Sequence, residues 1–301
     1  MCATCGCSPG SAGVRVIDPD QQHSHDHEHD HSHGHGHGHG HDDEHGHGHG
    51  HGHDDGPGHT HDVDHAHGHE QVQTLVAPAE PDPDRGHTIA LEQLVLARND
   101  ELAQRNRAWL TGRGILAVNL MSSPGAGKTT LLERTITDLA GELPVSVVEG
   151  DQETLLDADR ITATGCRVVQ INTGAGCHLD AEMVDRGLRT LAPPANSVVL
   201  IENVGNLVCP ALFDLGEAAK IVITSTTEGA DKPLKYPQMF ASADLVILNK
   251  IDLLPYLRFD VSACLAAIGR VNPRATVLQL SATEGTGLAV WYDWLRSRVG
   301  H

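Results

Sequence analysis

The first residues whose types and spacing could do chemistry are 122–130, which read SSPGAGKTT after an apolar run. The glycines let backbone N–H groups turn inward around phosphate oxygens, and a helix that starts there adds positive potential. In such a loop Lys128 reaches the β- and γ-phosphates of a nucleotide, and the Thr129 hydroxyl holds Mg²⁺. Ser122 replaces the usual first glycine, and the Gly-rich core that follows compensates for it. The residues expected to contact the nucleotide are Pro124, Gly125, Ala126, Gly127, Lys128, Thr129 and Thr130.

A second set of residues could distinguish guanine from adenine. Asn249, Lys250 and Asp252 follow an apolar run, and open α/β sheets bind ligands at the carboxyl ends of their strands. The Asp252 carboxylate can accept hydrogen bonds from guanine N1–H and from its exocyclic amine, whereas adenine would leave the carboxylate unpaired. Ser281 and Ala282, after the last apolar run, would supply a backbone N–H to guanine O6. The set predicts that GTP and GDP are the nucleotides bound.

Two segments between these motifs add candidate catalytic residues. Asp151 ends the run EGD and is placed to hold Mg²⁺ directly or through water, although it could instead cap a helix. Gly205 occupies the position of a switch glycine whose N–H senses the γ-phosphate. With Lys128, these two residues form the expected catalytic group. Hydrolysis should be slow, because neither an arginine finger nor a catalytic glutamine is evident beside Gly205.

Three cysteines at the start of the chain form a candidate metal site. Cys2, Cys5 and Cys7 lie within six residues, close to the chain's own amine. Three sulfurs and a nitrogen suit square-planar Ni²⁺, although Zn²⁺ would accept a tetrahedral arrangement. Unliganded thiols are the alternative interpretation.

A second candidate metal site comprises Cys177, His178 and Cys209. The first two follow a Gly-rich turn, and Cys209 lies four residues after Gly205. They could meet where the loops after two strands converge, or the cysteines could be small core residues. We expect that second fate for Cys166 and Cys264, which have no histidine neighbour.

Between residues 23 and 69 the chain holds 20 of its 23 histidines, mostly alternating with Gly or acidic residues. Neutral imidazole binds nickel, zinc and copper, so this tail should act as a metal store whose loading falls as the pH drops through roughly 6.5. The storage histidines are His23, His25, His27, His29, His31, His33, His35, His37, His39, His41, His45, His47, His49, His51, His53, His59, His61, His65, His67 and His69. A purification tag is the alternative, but tags are short and uninterrupted.

The elements that must position these residues divide the chain in two. Residues 1–86 lack the apolar side chains that ordering requires and end in a proline-rich linker at 77–86, so they should be disordered. Order should begin near Thr88, with a helical stripe. Apolar runs at 115–121, 145–149, 167–172, 197–201, 220–224, 245–249 and 276–280 alternate with helical segments. Such runs predict a mostly parallel sheet buried on both faces, and therefore a three-layer α/β P-loop GTPase domain over 87–301.

Composition excludes several classes of protein. Residues 16–84 contain 16 acidic residues and no Lys or Arg, so the formal net charge of −19 leaves only −3 for the rest of the chain. We expect no nucleic-acid partner, since that needs a basic footprint, and no membrane span or secretory signal. Seven cysteines without an export signal indicate thiols or metal ligands in a cytoplasmic protein.

Taken together, these stretches resemble the HypB family of nickel-incorporation GTPases, which belongs to the SIMIBI class of P-loop NTPases and serves [NiFe]-hydrogenase maturation. The stretches are MCATCGC, SSPGAGKTT, EGDQET, NTGAGCHLD, IENVGNLVCP, TEGADKPLKYP and NKIDLLPYL, and they cover most of 115–271. The resemblance implies a cytoplasmic homodimer that helps deliver Ni²⁺ to the hydrogenase large subunit precursor, together with a HypA-type zinc- and nickel-binding chaperone.

The resemblance also implies roles for particular positions. It implies a tight nickel site at Cys2, Cys5 and Cys7, a weaker nickel or zinc site at Cys177, His178 and Cys209 near the dimer interface, and an apolar dimer contact at Leu253 and Leu257. Two other functions stay open. A urease-type nickel GTPase would carry a Cys-Pro-His motif, which this chain lacks, and a pure storage protein would not need intact Lys128, Thr129 and Asp252. Zinc or cobalt could replace nickel as the physiological metal.

Overall fold

The computed structural model describes residues 13–17, 84–151, 156–174 and 176–300. The predicted metal ligands Cys2, Cys5 and Cys7 lie outside these residues. So do the storage histidines of 23–69 and the linker from 77 to 83.

One sheet forms the centre of the domain, with strand order β1-β4-β3-β5-β2-β6-β7-β8. Its strands are β1 (Gly13–Ile17), β2 (Leu116–Ser122), β3 (Val145–Asp151), β4 (Arg167–Asn172), β5 (Val198–Glu202), β6 (Ala219–Ser225), β7 (Leu245–Asn249) and β8 (Thr276–Gln279). All pairs from β4 to β8 are parallel. The seven predicted strands are confirmed to within two residues at each end.

Helices cover both faces of this sheet. They are α1 (Asp84–Thr111), α2 (Lys128–Asp138), α3 (Leu156–Thr162), α4 (Ala181–Leu191), α5 (Cys209–Leu212), α6 (Lys232–Lys235), α7 (Pro237–Ala241), α8 (Val261–Val271) and α9 (Leu288–Arg296), with a 3₁₀ helix at Ile251–Tyr256. Alternate residues of β2 point to opposite layers, because Val118 packs with α2 and α9 whereas Ala117 packs with α1 and α4. The predicted three-layer α/β fold is confirmed.

The structure differs from the predicted disordered segment 1–86 at two places. β1 pairs antiparallel with β4, from Gly13 opposite Asn172 to Ile17 opposite Val168. This strand satisfies backbone groups that the β4 edge would otherwise expose. α1 begins at Asp84, four residues before the expected start of order, and takes in the end of the proline-rich linker.

Parallel strands direct the loops after β2, β3, β4, β5 and β7 to one edge of the sheet, and these loops contain the predicted site residues. None of the helices within the described ranges is long and apolar enough to cross a membrane.

Candidate nucleotide site and metal centre

The loop between β2 and α2 has the backbone of a phosphate-binding loop. Gly125 and Gly127 have φ angles of +76° and +93°, and α2 begins at Lys128. A Cβ on Gly127 would lie 2.5 Å from Asn249 Nδ2, so the loop requires glycine there. The loop bounds a cavity of about 500 Å³. Predicted residues that line it are Pro124, Gly125, Gly127, Lys128, Thr129, Thr130, Asp151, Gly205 and Lys250.

A buried carboxylate lies beside the two residues expected to hold phosphate and Mg²⁺. Glu202, the last residue of β5, has an Oε1 that is 3.2 Å from Lys128 Nζ and accepts a hydrogen bond of 2.8 Å from Thr129 Oγ1. Burial raises the pKa of Glu202, and the Lys128 charge opposes that rise. Its Oε2 is buried and has no hydrogen-bond partner within the described residues. A carboxylate oxygen with spare capacity beside a hydroxyl fits a hard cation such as Mg²⁺.

Two further carboxyl groups of β3 lie near Glu202, and only Asp151 lines the cavity. Burial and the neighbouring Glu202 raise the pKa of Glu149 to about 9, so Glu149 is neutral at pH 7. Asp151 ends β3, is half-buried and lines the cavity. Asp151 belongs to β3, and the residues that connect it to α3 at Leu156 lie outside the described ranges. Its position fits the Mg²⁺ side of the site.

Asn249 connects the phosphate loop to the base end of the site. Its Nδ2 donates to the Ala126 carbonyl at 3.0 Å, and its Oδ1 accepts from Ala282 N at 3.1 Å. Lys250 adopts a left-handed backbone with φ +62° and donates to the Gly125 carbonyl at 2.6 Å. Asn249 therefore holds the phosphate loop at Ala126, and neither residue lines the cavity.

Asp252, the residue predicted to contact the base, has one carboxylate oxygen without a partner among the described residues, although it does not line the cavity. Asp252 Oδ1 is buried and makes no hydrogen bond with any described residue, which fits the donor pair of guanine. The two N–H groups predicted to read guanine O6 are already engaged, because Ser281 N donates to Thr286 O at 2.9 Å and Ala282 N donates to Asn249. A guanine O6 at this position must compete with one of these bonds.

The structure brings the second predicted metal site together. One ligand atom each from Cys177, His178 and Cys209 lies within 4.8 Å of the other two, and Cys177 Sγ is 3.7 Å from His178 Nδ1. Cys209 is buried, while the other two are half-buried. Two sulfurs and an imidazole leave a fourth position open for Zn²⁺ or Ni²⁺.

The surroundings of His178 favour its metal-binding form. The imidazole packs on Phe213 with ring centroids 4.0 Å apart. Burial lowers the pKa of His178, and the nearby Asp180 charge opposes that effect. Asp180 is also the N-cap of α4 and accepts from Met183 N at 2.7 Å, which anchors the loop that precedes the helix. The lowered pKa favours the neutral imidazole, which is the form that binds a metal.

The metal centre and the nucleotide cavity share a loop. Leu179 N, next to His178, donates to Asn203 Oδ1 at 3.1 Å, and Asn203 precedes the predicted switch at Gly205. A Cβ on Gly205 would lie 3.1 Å from Pro124 Cγ, so the switch backbone packs directly on the phosphate loop. Four residues later, Cys209 opens α5. One short segment thus contacts both sites.

The remaining described cysteines are core residues, as predicted. Cys166 and Cys264 are 5% and 1% exposed. Burial raises the pKa of the Cys166 thiol to about 12 and that of Cys264 to about 11. Neither belongs to a group of potential metal ligands among the described residues.

Sequence patterns missed Glu202 and Glu149. Glu202 lies three residues before Gly205, and Glu149 lies two residues before Asp151, each at or near the end of a strand, so a glutamate in that position was the available signal. A pair formed by Glu228 and Lys232 beside Ser123 was also missed.

Comparison with known proteins relates the chain to hydrogenase maturation factors. Residues 116–279 match the family model described as CobW/HypB/UreG, nucleotide-binding domain. The chain is 57% identical over 207 residues to the hydrogenase maturation factor HypB of Rhizobium leguminosarum bv. viciae, covering 69% of each chain. It is 54% identical over 204 residues to that of Escherichia coli K12, covering 68% of this chain and 70% of the relative.

Two solved structures share the fold at recognisable identity. HypB from Archaeoglobus fulgidus matches with a TM-score of 0.63 and 40% identity, over 67% of this chain and 98% of that one. HypB from Helicobacter pylori in complex with nickel matches with a TM-score of 0.63 and 38% identity, over 66% and 94%.

Proposed function

The chain belongs to the HypB family of hydrogenase maturation factors, and from that premise we propose that it is a Mg²⁺-dependent GTPase that delivers Ni²⁺ to a [NiFe]-hydrogenase large subunit precursor. The observation that carries the proposal is the shared loop between the two sites, because Gly205 packs on the phosphate loop and Cys209 belongs to the metal triad. A storage protein would not need that connection. The absence of a Cys-Pro-His motif argues against a urease-type role.

GTP would bind with its phosphates at the start of α2 and its base against Asp252. Mg²⁺, when bound, would neutralise phosphate charge, with Thr129, Asp151 and Glu202 as the residues that hold it. Lys128 is paired with Glu202, and nucleotide binding would exchange this partner for phosphate oxygens. The unpaired Asp252 Oδ1 supports guanine as the base.

Nucleotide state should set metal affinity at Cys177, His178 and Cys209. If the γ-phosphate draws Gly205 toward it, Cys209 must shift relative to the other two ligands, which precede the Asp180 cap of α4. By linkage, bound metal then changes nucleotide affinity by the same factor.

The remaining roles follow from the resemblance and from the exposed residues. We assign tight nickel binding to Cys2, Cys5 and Cys7, storage to the histidine tail, and zinc as a second ion of the internal triad. Leu257 is exposed, Leu253 is half-buried, and Tyr256 between them is 83% exposed, which supports an apolar homodimer contact. A cytoplasmic location and a HypA-type chaperone partner complete the proposal.

The deciding experiment measures GTP turnover and nucleotide affinity of the full chain with and without Ni²⁺ and Zn²⁺. We expect slow Mg²⁺-dependent GTP hydrolysis and a metal-dependent change in affinity that disappears in Cys209→Ser. A Lys128→Ala variant that still supported full hydrogenase activity would instead favour storage, and identical affinities with and without metal would refute the coupling.

A further inference from the structure

Behind the phosphate loop lies a buried charge pair that the proposed mechanism does not use. Glu228 Oε1 accepts from the Ser123 hydroxyl and from Lys232 Nζ. The Lys232 ammonium also donates to Ser123 Oγ at 2.6 Å. Glu228 Oε2 accepts from Ser225 N at 3.0 Å and from the Thr224 hydroxyl at 3.1 Å, which fixes the carboxylate to the end of β6. The loop after β6 is thereby attached to the loop after β2.

Lys232 is unusually buried for a lysine. Lys232 is only 7% exposed, and charges withdrawn from water are costly unless they are paired. Lys235, one turn later, forms the same kind of pair with Asp231 at 2.9 Å, but those side chains are 63% and 56% exposed. A surface pair of that kind contributes little, so residues 228–235 hold a largely buried Glu–Lys pair and an exposed Asp–Lys pair at the same spacing of four residues.

Ser123 connects the charge pair to the nucleotide cavity. Ser123 lines the cavity, and its neighbour Pro124 is the residue on which Gly205 packs. The Lys232 ammonium is therefore one hydroxyl group away from the end of the cavity where the switch glycine lies. Charges act strongly on phosphate in such a partly buried site.

We propose that Glu228 and Lys232 form a positioning pair that sets the preference of the site for GTP over GDP, through Ser123. This inference rests on the proposed function, because it assumes that the γ-phosphate lies near Gly205. The third phosphate adds negative charge at that end, where the opposite charges of Lys232 and Glu228 largely cancel in the intact pair. GDP lacks that phosphate and should respond less to a change in either charge.

The proposal predicts opposite effects of the two single substitutions. Glu228→Gln removes the negative charge, so the ratio of GTP affinity to GDP affinity should rise about tenfold. Lys232→Met leaves the carboxylate facing the phosphate, so the same ratio should fall about tenfold. The double variant has neither charge, and its ratio should return close to that of the unsubstituted chain.

The test measures dissociation constants of the full chain for GDP and for a non-hydrolysable GTP analogue, together with thermal unfolding of each variant. Lys235→Met, which removes the exposed pair, is the matched control and should leave the ratio unchanged. Equal losses of both nucleotides, or ratio changes of the same sign in both single variants, would overturn the inference. If Lys232→Met does not fold, Glu228→Gln alone tests the inference, which requires the ratio of GTP affinity to GDP affinity to rise. Failure of the unsubstituted chain to bind either nucleotide would instead contradict the proposed function.

Discussion

The Thr129 hydroxyl donates a hydrogen bond of 2.8 Å to Glu202 Oε1, although the two residues lie 73 positions apart. The same carboxylate oxygen is 3.2 Å from Lys128 Nζ. Glu202 therefore contacts both groups to which we assign phosphate and Mg²⁺. We expect nucleotide binding to change the partners of Lys128 and Thr129.

Replacing Glu202 with Gln should separate nucleotide binding from the Mg²⁺ requirement. The amide removes a charged partner of Lys128 and an anionic oxygen that would face Mg²⁺, and a hydrogen bond to a charged group is worth about 1.5–3 kcal/mol. We expect the Mg²⁺ concentration for half-maximal GTP hydrolysis to rise at least about tenfold, while GDP affinity without Mg²⁺ is kept. Steady-state hydrolysis across a Mg²⁺ titration measures this. An unchanged Mg²⁺ dependence would place the ion elsewhere.

Replacing Asp252 with Asn should change the base that the site accepts. The amide presents a donor where guanine also presents donors, so GTP affinity should fall about 100-fold. Xanthine has a carbonyl in place of the exocyclic amine and should bind the variant better than guanine does. Competition of GTP and XTP against a fluorescent nucleotide gives both affinities. Equal losses for the two nucleotides would mean that Asp252 does not contact the base.

Local sequence patterns predicted the elements that are buried on both faces. The strands β2, β5 and β7 are buried throughout, so each appears as a continuous apolar run whose limits are visible without any partner. β1 has only five residues beside a Gly/Ser segment, and its strand conformation depends on pairing with the β4 edge. The sequence of β1 alone does not show that it pairs with β4.

In the candidate site, too, some residues could be recognised from the sequence and others could not. The phosphate loop and the NKID segment are contiguous motifs, so their chemistry can be recognised from spacing alone. The partners of these motifs come from distant positions, as Lys232 does at 109 residues from Ser123. The N–H groups of Ser281 and Ala282 also could not be judged from the sequence. Their hydrogen-bond acceptors, Thr286 O and Asn249 Oδ1, are determined by the tertiary structure.

Cysteine reactivity should distinguish the core thiols from the metal ligands. Burial raises the pKa of Cys166 to about 12 and that of Cys264 to about 11, so at pH 8 about one Cys166 in ten thousand is a thiolate, the reactive form. Both should resist iodoacetamide at pH 8, with reactivity that rises only as the pH approaches these values. Cys177 is half-buried and should be alkylated in the metal-free chain but protected by Zn²⁺ or Ni²⁺.

Peptide mapping by mass spectrometry reads each cysteine separately, so the thiols of Cys2, Cys5 and Cys7 do not confuse the result. Protection of Cys177 by metal should disappear in His178→Ala, while the two core cysteines stay unreactive. Equal alkylation of Cys177 with and without metal would exclude it as a ligand.

Adding one methyl group at Gly205 should uncouple the two sites. The Cβ of Gly205→Ala would lie 3.1 Å from Pro124 Cγ, so either the switch backbone or the phosphate loop must move by a few tenths of an ångström.

The metal triad contains no atom of Gly205, so Zn²⁺ or Ni²⁺ affinity without nucleotide should change less than about threefold, a few tenths of a kcal/mol. The factor by which the GTP analogue changes metal affinity should instead approach one, and metal should lose its effect on nucleotide affinity, because the two factors are equal by linkage. Metal titrations with and without the analogue measure the first factor. Gly285→Ala, at a glycine with a positive φ on the loop after β8, controls for general destabilisation. Coupling that survives in Gly205→Ala would mean that the signal passes through another route, such as the contact between Leu179 and Asn203.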